Sequence, residues 1–163
     1  MILFSAAMPK AIPDGYHSVT PYLTFKDASA AIAWYARAFG AKEEVRMPGP
    51  GGKVLHAEIK IGDSHIMLAD EHPVMGNKSA ESIGGSPAAF MIYLEDADAA
   101  FRKAVEAGAR VVRPVENQFY GDRSGTITDP FGLNWTLGTH VEDVSPEEMK
   151  RRMSQFMASA QVS

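Results

Sequence analysis

The sequence predicts an α+β fold: tandem βαβββ modules forming a curved mixed sheet around a shared cleft, plus a C-terminal helix. Three observations carry that expectation. Asp27-Ala28-Ser29-Ala30-Ala31-Ile32 returns as Asp96-Ala97-Asp98-Ala99-Ala100-Phe101, an offset of 69 residues (27 to 96), and self-similarity at a fixed spacing marks a repeated structural unit. Each copy follows an alternating, strand-like stretch, at 18–25 and at 88–94. Each copy also opens an alanine-rich helix that stops at a glycine, Gly40 or Gly108. Glycine suits that place because it takes the left-handed conformation after a last helical turn.

The elements follow in order. Ala31, Ile32, Tyr35 and Phe39 form the apolar side of the first helix. Phe101, Ala104 and Val105 do so in the second, with Ala109 closing it. Three strand candidates follow each helix, at 43–47, 54–61 and 64–70, then at 110–115, 124–128 and 134–139. Gly62-Asp63 makes a hairpin, and Asp129-Pro130-Phe131-Gly132 is the turn before the last strand. The resulting organisation is a loose tail at 1–12, module one at 13–70 and a joining loop at 71–87. Module two then covers 88–141, and a C-terminal helix and tail cover 142–163. Ser145 is the expected N-cap of that helix, Pro146 its first residue and Glu148 the partner in a capping box.

Composition narrows the function classes. A chain of 163 residues with 45% apolar and 22% charged residues reads as a soluble globular protein. Its formal charge of −4 is spread along the chain, so neither nucleic acid nor an anionic membrane is an expected partner. The absence of cysteine excludes disulfides, zinc–thiolate sites, iron–sulfur clusters and a thiol nucleophile. The apolar start, Met1 to Ala7, has no basic flank and is too short for a secretion leader or a membrane span. The expected location is the cytoplasm.

Several segments together resemble a known family. They are Gly15-Tyr16-His17-Ser18-Val19-Thr20-Pro21-Tyr22-Leu23, Ala33-Trp34-Tyr35-Ala36-Arg37-Ala38-Phe39-Gly40-Ala41 and His56-Ala57-Glu58-Ile59. Ile66-Met67-Leu68-Ala69-Asp70-Glu71, Tyr120-Gly121-Asp122-Arg123 and Asp129-Pro130-Phe131-Gly132-Leu133-Asn134-Trp135-Thr136 complete the set. This series resembles the vicinal-oxygen-chelate superfamily of glyoxalases, bleomycin-resistance proteins and dioxygenases, and within it the PhnB-like branch. The resemblance implies four metal-ligand positions, one on the first and one on the last strand of each module. Motif matching puts them at Thr20, Met67, Ala89 and Thr136. The spacings from Thr20 to Ala89 and from Met67 to Thr136 are both 69, the repeat offset. Alanine has no donor atom, threonine hydroxyls are weak donors, and thioether sulfur suits Cu(I) rather than harder divalent ions. No metal and no cofactor are therefore expected, and neither is the superfamily's metal chemistry.

Strand alternation sorts the other polar residues. Thr20 and Tyr22 share a face, as do His65 and Met67; Ala89 goes with Met91 and Tyr93, and Asn134 with Thr136. On the third strand of module one, His56, Glu58 and Lys60 oppose Ala57, Ile59 and Ile61. In module two, Ser124, Thr126 and Thr128 oppose Ile127. The candidate ligand-binding residues are therefore Thr20, Tyr22, His65, Met67, Met91, Tyr93, Ser124, Thr126, Thr128, Asn134 and Thr136. His56 and Glu58 are the candidate catalytic pair, a base and its orienter; the plainer alternative is a hydrogen-bonded pair without chemistry. His65 is weighed as a third ligand in a displaced two-histidine, one-carboxylate site.

Other features divide the same way. His17, His72 and His140 read as structural or exposed. Tyr16, Tyr35 and Trp34 read as core. Arg123 either clamps an anion or pairs with Asp122 or Asp129. Gly49-Pro50-Gly51-Gly52 lacks the residues of a phosphate loop and reads as a hairpin tip, perched to act as a lid. Met149, Met153, Phe156 and Met157 form one stripe of the last helix. That stripe packs on its own domain or on a second subunit, and the resemblance implies a homodimer. The favoured reading is a metal-free protein binding a small aromatic or amphipathic molecule in the cleft. A metal-independent lyase or isomerase using His56 and Glu58, and a structural or regulatory dimer with a filled cleft, are the alternatives.

Overall fold

The computed structural model describes residues 9–160. Module one contains β1 (Tyr22–Phe25), α1 (Ala28–Phe39), β2 (Lys42–Pro48), β3 (Val54–Ile61) and β4 (Ser64–Asp70). A four-residue helix, α2 (Ala80–Ile83), precedes module two. There β5 (Ala89–Tyr93), α3 (Ala97–Glu106), β6 (Arg110–Asn117), β7 (Asp122–Thr128) and β8 (Asn134–His140) follow in the same order. The last helix is α4 (Pro146–Ala160). The strands form two four-stranded mixed sheets, ordered β1-β4-β3-β2 and β5-β8-β7-β6, with the first pair of each parallel. The chain divides into two compact units, one from residues through Ala36 and Gly40–Ser79, the other from Arg37–Phe39 and Ala80 onward.

The repeated motif has a physical meaning. Asp27 and Asp96 are the N-caps of α1 and α3, each accepting a hydrogen bond at 2.9 Å from the backbone N–H three residues on. Such a carboxylate satisfies an N–H that the helix itself leaves without a partner. A second acceptor also repeats. Buried Asp70 takes the N–H of Ala28 at 2.7 Å and of Val54 at 2.6 Å. Thr139, 69 residues later, takes the N–H of Ala97 at 2.9 Å and donates to the Leu94 carbonyl. Register repeats too, since Tyr22 pairs with Met67 and Met91 with Thr136.

Each unit has its own core. Leu23, Phe25, Ala31, Ile32, Tyr35, Ile59 and Leu68 are buried in the first. Phe101, Ala104, Ile127, Trp135 and Leu137 are buried in the second. Asp129 anchors the turn before β8: its carboxylate accepts from Trp135 Nε1 at 2.8 Å and from the N–H groups of Phe131 and Leu133 at 2.9 Å.

Some expectations need correction. The first strand begins at Tyr22, not at residue 18. Pro21 has no N–H to donate, so it joins the ladder only by accepting from Met67 N, and Thr20 lies before the strand. The joining segment carries α2 and a 3-10 turn at Pro73–Met75. The capping box is half formed: Ser145 Oγ accepts from Glu148 N at 3.3 Å, but the Glu148 carboxylate binds Arg151 and Arg152. Guanidinium partners outcompete a single backbone N–H for a carboxylate and hold Glu148 down to about 2. Val105 is partly exposed rather than core.

Candidate functional site

In module one, β3 turns Ala57, Ile59 and Ile61 into the core. The two-residue period therefore places His56 and Glu58 together on the opposite face, partly exposed. There they join a chain of hydrogen bonds. His56 Nε2 lies 3.1 Å from Glu58 Oε1, and Tyr22 Oη lies 3.0 Å from His56 Nδ1. Tyr16 O–H donates to Glu58 Oε2. A carboxylate accepts only, so Nε2 carries the imidazole proton and Nδ1 accepts from Tyr22. The relay runs Tyr22 to His56 to Glu58, with Tyr16 holding the second carboxylate oxygen. With its hydroxyl hydrogen pointed at the ring, Tyr22 offers its oxygen lone pairs outward.

Tyr22 is 50% exposed. It also lines a cavity of ≈ 320 Å³ within the same unit, together with Lys53, Leu55, His72, Met75 and Asn77. His56 and Glu58 do not line it and connect to it only through Tyr22. Pro50, from the glycine-rich hairpin tip, lines the cavity as well.

His65 is held differently. Its Nδ1 donates to Gly15 O at 2.9 Å, and its Nε2 lies 2.7 Å from Glu44 Oε2. Its ring stacks on Tyr16 at 4.1 Å. With both nitrogens engaged, His65 does not serve as a third ligand beside His56 and Glu58. Tyr16 was expected in the core but bridges these two clusters. Tyr35 and Trp34 are buried as expected.

Module two presents another chemistry. Leu68 pairs with Ala57, and Leu137, 69 residues on, pairs with Gly125. Ser124 thus stands where His56 stands in module one, and Thr126 where Glu58 stands. Thr126 and Thr136 share a hydrogen bond of 3.0 Å, and Thr128 donates to Asn134 at 2.8 Å. At the sheet's end Tyr93 donates to Asp122 at 2.9 Å. His140 bridges Asp122 at 2.8 Å and Asp143 at 2.9 Å. Asp122 first, then Asp143, raises the His140 pKa by accepting hydrogen bonds from its charged form. Arg123 pairs with neither expected partner. Its guanidinium forms a two-point pair with Asp98 on α3, at 2.6 and 2.7 Å. Asp122 and Asp129 are committed elsewhere. On α4, Met153, Phe156 and Met157 are exposed, and the Phe156 ring lies tilted against Phe119 with centroids 5.1 Å apart.

This duplicated βαβββ architecture defines a class, and sequence comparison names it: the Glyoxalase/Bleomycin resistance protein/Dioxygenase superfamily profile matches residues 16–137. The chain belongs to that superfamily. It is 43% identical over 140 residues to the uncharacterized protein Rv0887c of Mycobacterium tuberculosis, covering 84% of this chain and 82% of that one. It is 35% identical over 124 residues to the uncharacterized protein At5g48480 of Arabidopsis thaliana, covering 72% and 74%. The X-ray structure of the At5g48480 product aligns with TM-score 0.60 over 75% of this chain and 98% of that one, at 31% identity. The fold also resembles a PhnB protein from Bacillus cereus, described as a putative 3-demethylubiquinone-9 3-methyltransferase. There the TM-score is 0.59 at 18% identity, covering 76% and 99%.

The residues at the superfamily's metal positions do not fit a divalent ion. Module one offers the Thr20 hydroxyl and the Met67 thioether; module two offers Ala89, without a donor, and Thr136, already bonded to Thr126. Among the described residues no group of three His, Asp or Glu side chains is placed to hold a metal.

Proposed function

We propose that this protein binds a small aromatic or amphipathic molecule without a metal ion, and that Tyr22 is its principal polar contact in module one. One observation carries the reading: the Tyr16–Glu58–His56–Tyr22 chain ends on a half-exposed tyrosine lining a cavity. A mostly apolar hollow with a few oriented polar groups is the usual form of a small-molecule site. Leu55 and Met75 supply the apolar wall, and Met adapts to irregular ligand shapes. Tyr22 offers a ring face for stacking and an oxygen that accepts hydrogen bonds.

The experiment is a thermal-shift screen with small aromatic and amphipathic compounds in the presence of a chelator. Compounds that bind the native state raise its melting temperature. Tyr22→Phe should weaken the best compound about 3- to 10-fold, the worth of one hydrogen bond, and Tyr22→Ala should weaken it further. No stabilising compound, or full affinity in Tyr22→Ala, would refute the site.

One feature favours a second reading, a metal-independent lyase or isomerase. His56 Nδ1 faces the Tyr22 hydroxyl while Glu58 orients the ring, an arrangement suited to moving a proton through Tyr22. Turnover abolished by His56→Ala or Glu58→Ala, with ligand binding retained, would select it.

A further inference from the structure

Ser124 is wholly buried, yet its hydroxyl has no hydrogen-bond partner among the described residues. Buried hydroxyls are nearly always bonded, and an orphaned one marks a place where something else belongs. Its neighbourhood includes Gly138 on β8, the strand between β5 and β7. A Cβ built on Gly138 would sit 2.4 Å from Met91 Cε, 3.7 Å from Met91 Sδ and 3.4 Å from Ser124 Cβ. Met91, from β5, therefore lies across the bare backbone of Gly138, on the face of β8 that Ser124 also approaches. Gly138 is not among the positive-φ glycines, so its backbone does not demand glycine. Its missing side chain is instead the space that Met91 fills.

Two side chains cross β8 in this way, and they differ. Tyr93 is tied to Asp122 by its hydroxyl. Met91 is 40% exposed, and its flexible thioether is held by packing alone. We infer that Met91 is a swinging cover over a binding subsite in module two, floored by the Ser124 hydroxyl. The subsite takes a neutral carbonyl or hydroxyl group carried on an apolar body. Neutrality follows from the surroundings. Ser124 is wholly buried, and Thr126, two residues on along the same face, is already bonded to Thr136 and to the Arg113 guanidinium. A charged group brought to that enclosed hydroxyl would lose its hydration, which one neutral hydroxyl does not repay. This subsite is independent of the module-one site, which lies in the other unit.

The chain contains no cysteine, so Ser124→Cys gives a single thiol reporter. Its labelling by methyl methanethiosulfonate tracks exposure. With the fold of each variant checked by cooperative melting, Ser124→Cys should label slowly. Adding Met91→Ala should raise the rate at least about tenfold, since removing the cover removes the opening step. Adding Gly138→Ala instead should also raise it, because the new methyl displaces Met91 Cε. Rates unchanged in both double variants would overturn the cover. Labelling of Ser124→Cys that rises only in step with global unfolding by urea would overturn it too. For the ligand class, acetophenone would be titrated while the Met91 methyl is followed by NMR. A saturable shift is expected, with affinity about 3- to 10-fold weaker in Ser124→Ala. Equal affinity in wild type and Ser124→Ala, or no shift, would overturn the assignment of Ser124 as its floor.

Discussion

Tyr22, His56 and Glu58 owe their arrangement to spacing. His56 and Glu58 are two residues apart on a strand whose other face is Ala57 and Ile59, and that alternation was readable without coordinates. Tyr22 follows from its place on the neighbouring face of β1. Tyr16 was not readable, because it reaches Glu58 from a turn 42 residues away and belongs to no period. Ser124 lies on the strand face opposite Ile127, as alternation indicates, but its complete burial is a packing detail that hydropathy does not encode. Asp129 offers a sharp test at this scale. Asp129→Ala would strand the Trp135 indole N–H and two backbone N–H groups in a buried setting. Each buried donor left unpaired costs about 1–3 kcal/mol. Urea unfolding should therefore show a loss of about 3 kcal/mol or more, and a loss below about 1 kcal/mol would contradict this role for Asp129.

At the scale of elements, the helices and most strands were legible because caps, glycine stops and alternation are local signals. The failures came where a second partner competed. Pro21 shortened β1 by withholding a donor. Arg151 and Arg152 drew Glu148 away from the capping box. Asp98 on α3 won Arg123, since Asp122 was already taken by Tyr93 and His140, and Asp129 by Trp135 and the N–H groups of its own turn. The clamp at the end of β8 yields a pH prediction. His140 gains two carboxylate partners in the native state, Asp122 and Asp143, and its pKa rises above the ordinary 6.5. A raised native pKa means that the charged ring stabilises the fold fully below its unfolded value. The contribution is lost as pH climbs through the raised value. The melting-temperature difference between wild type and His140→Gln should be largest near about pH 5.5 and shrink by about pH 9. A difference independent of pH would contradict the clamp.

For the whole molecule, the two modules keep the same scaffold and have diverged on the faces opposite their cores. The N-cap carboxylates at 27 and 96 and the helix-start acceptors at 70 and 139 preserve the fold. The paired leucines at 68 and 137 keep the register. The positions that can vary without harming it carry His56 and Glu58 in one module, and Ser124 and Thr126 in the other. No described helix is long and apolar enough to cross a membrane. The four positions matched to the superfamily's metal ligands carry two hydroxyls, a thioether and a methyl, so on the proposed reading the ligand is held by stacking, hydrogen bonds and burial. Isothermal titration calorimetry tests this most directly. The best compound from the chelator screen would be titrated into metal-stripped protein, and into the same protein with stoichiometric nickel, zinc, manganese or iron(II). The same affinity in every case is the predicted result. Binding that emerges only when one of those ions is added, with the ion retained by the protein, would contradict the account.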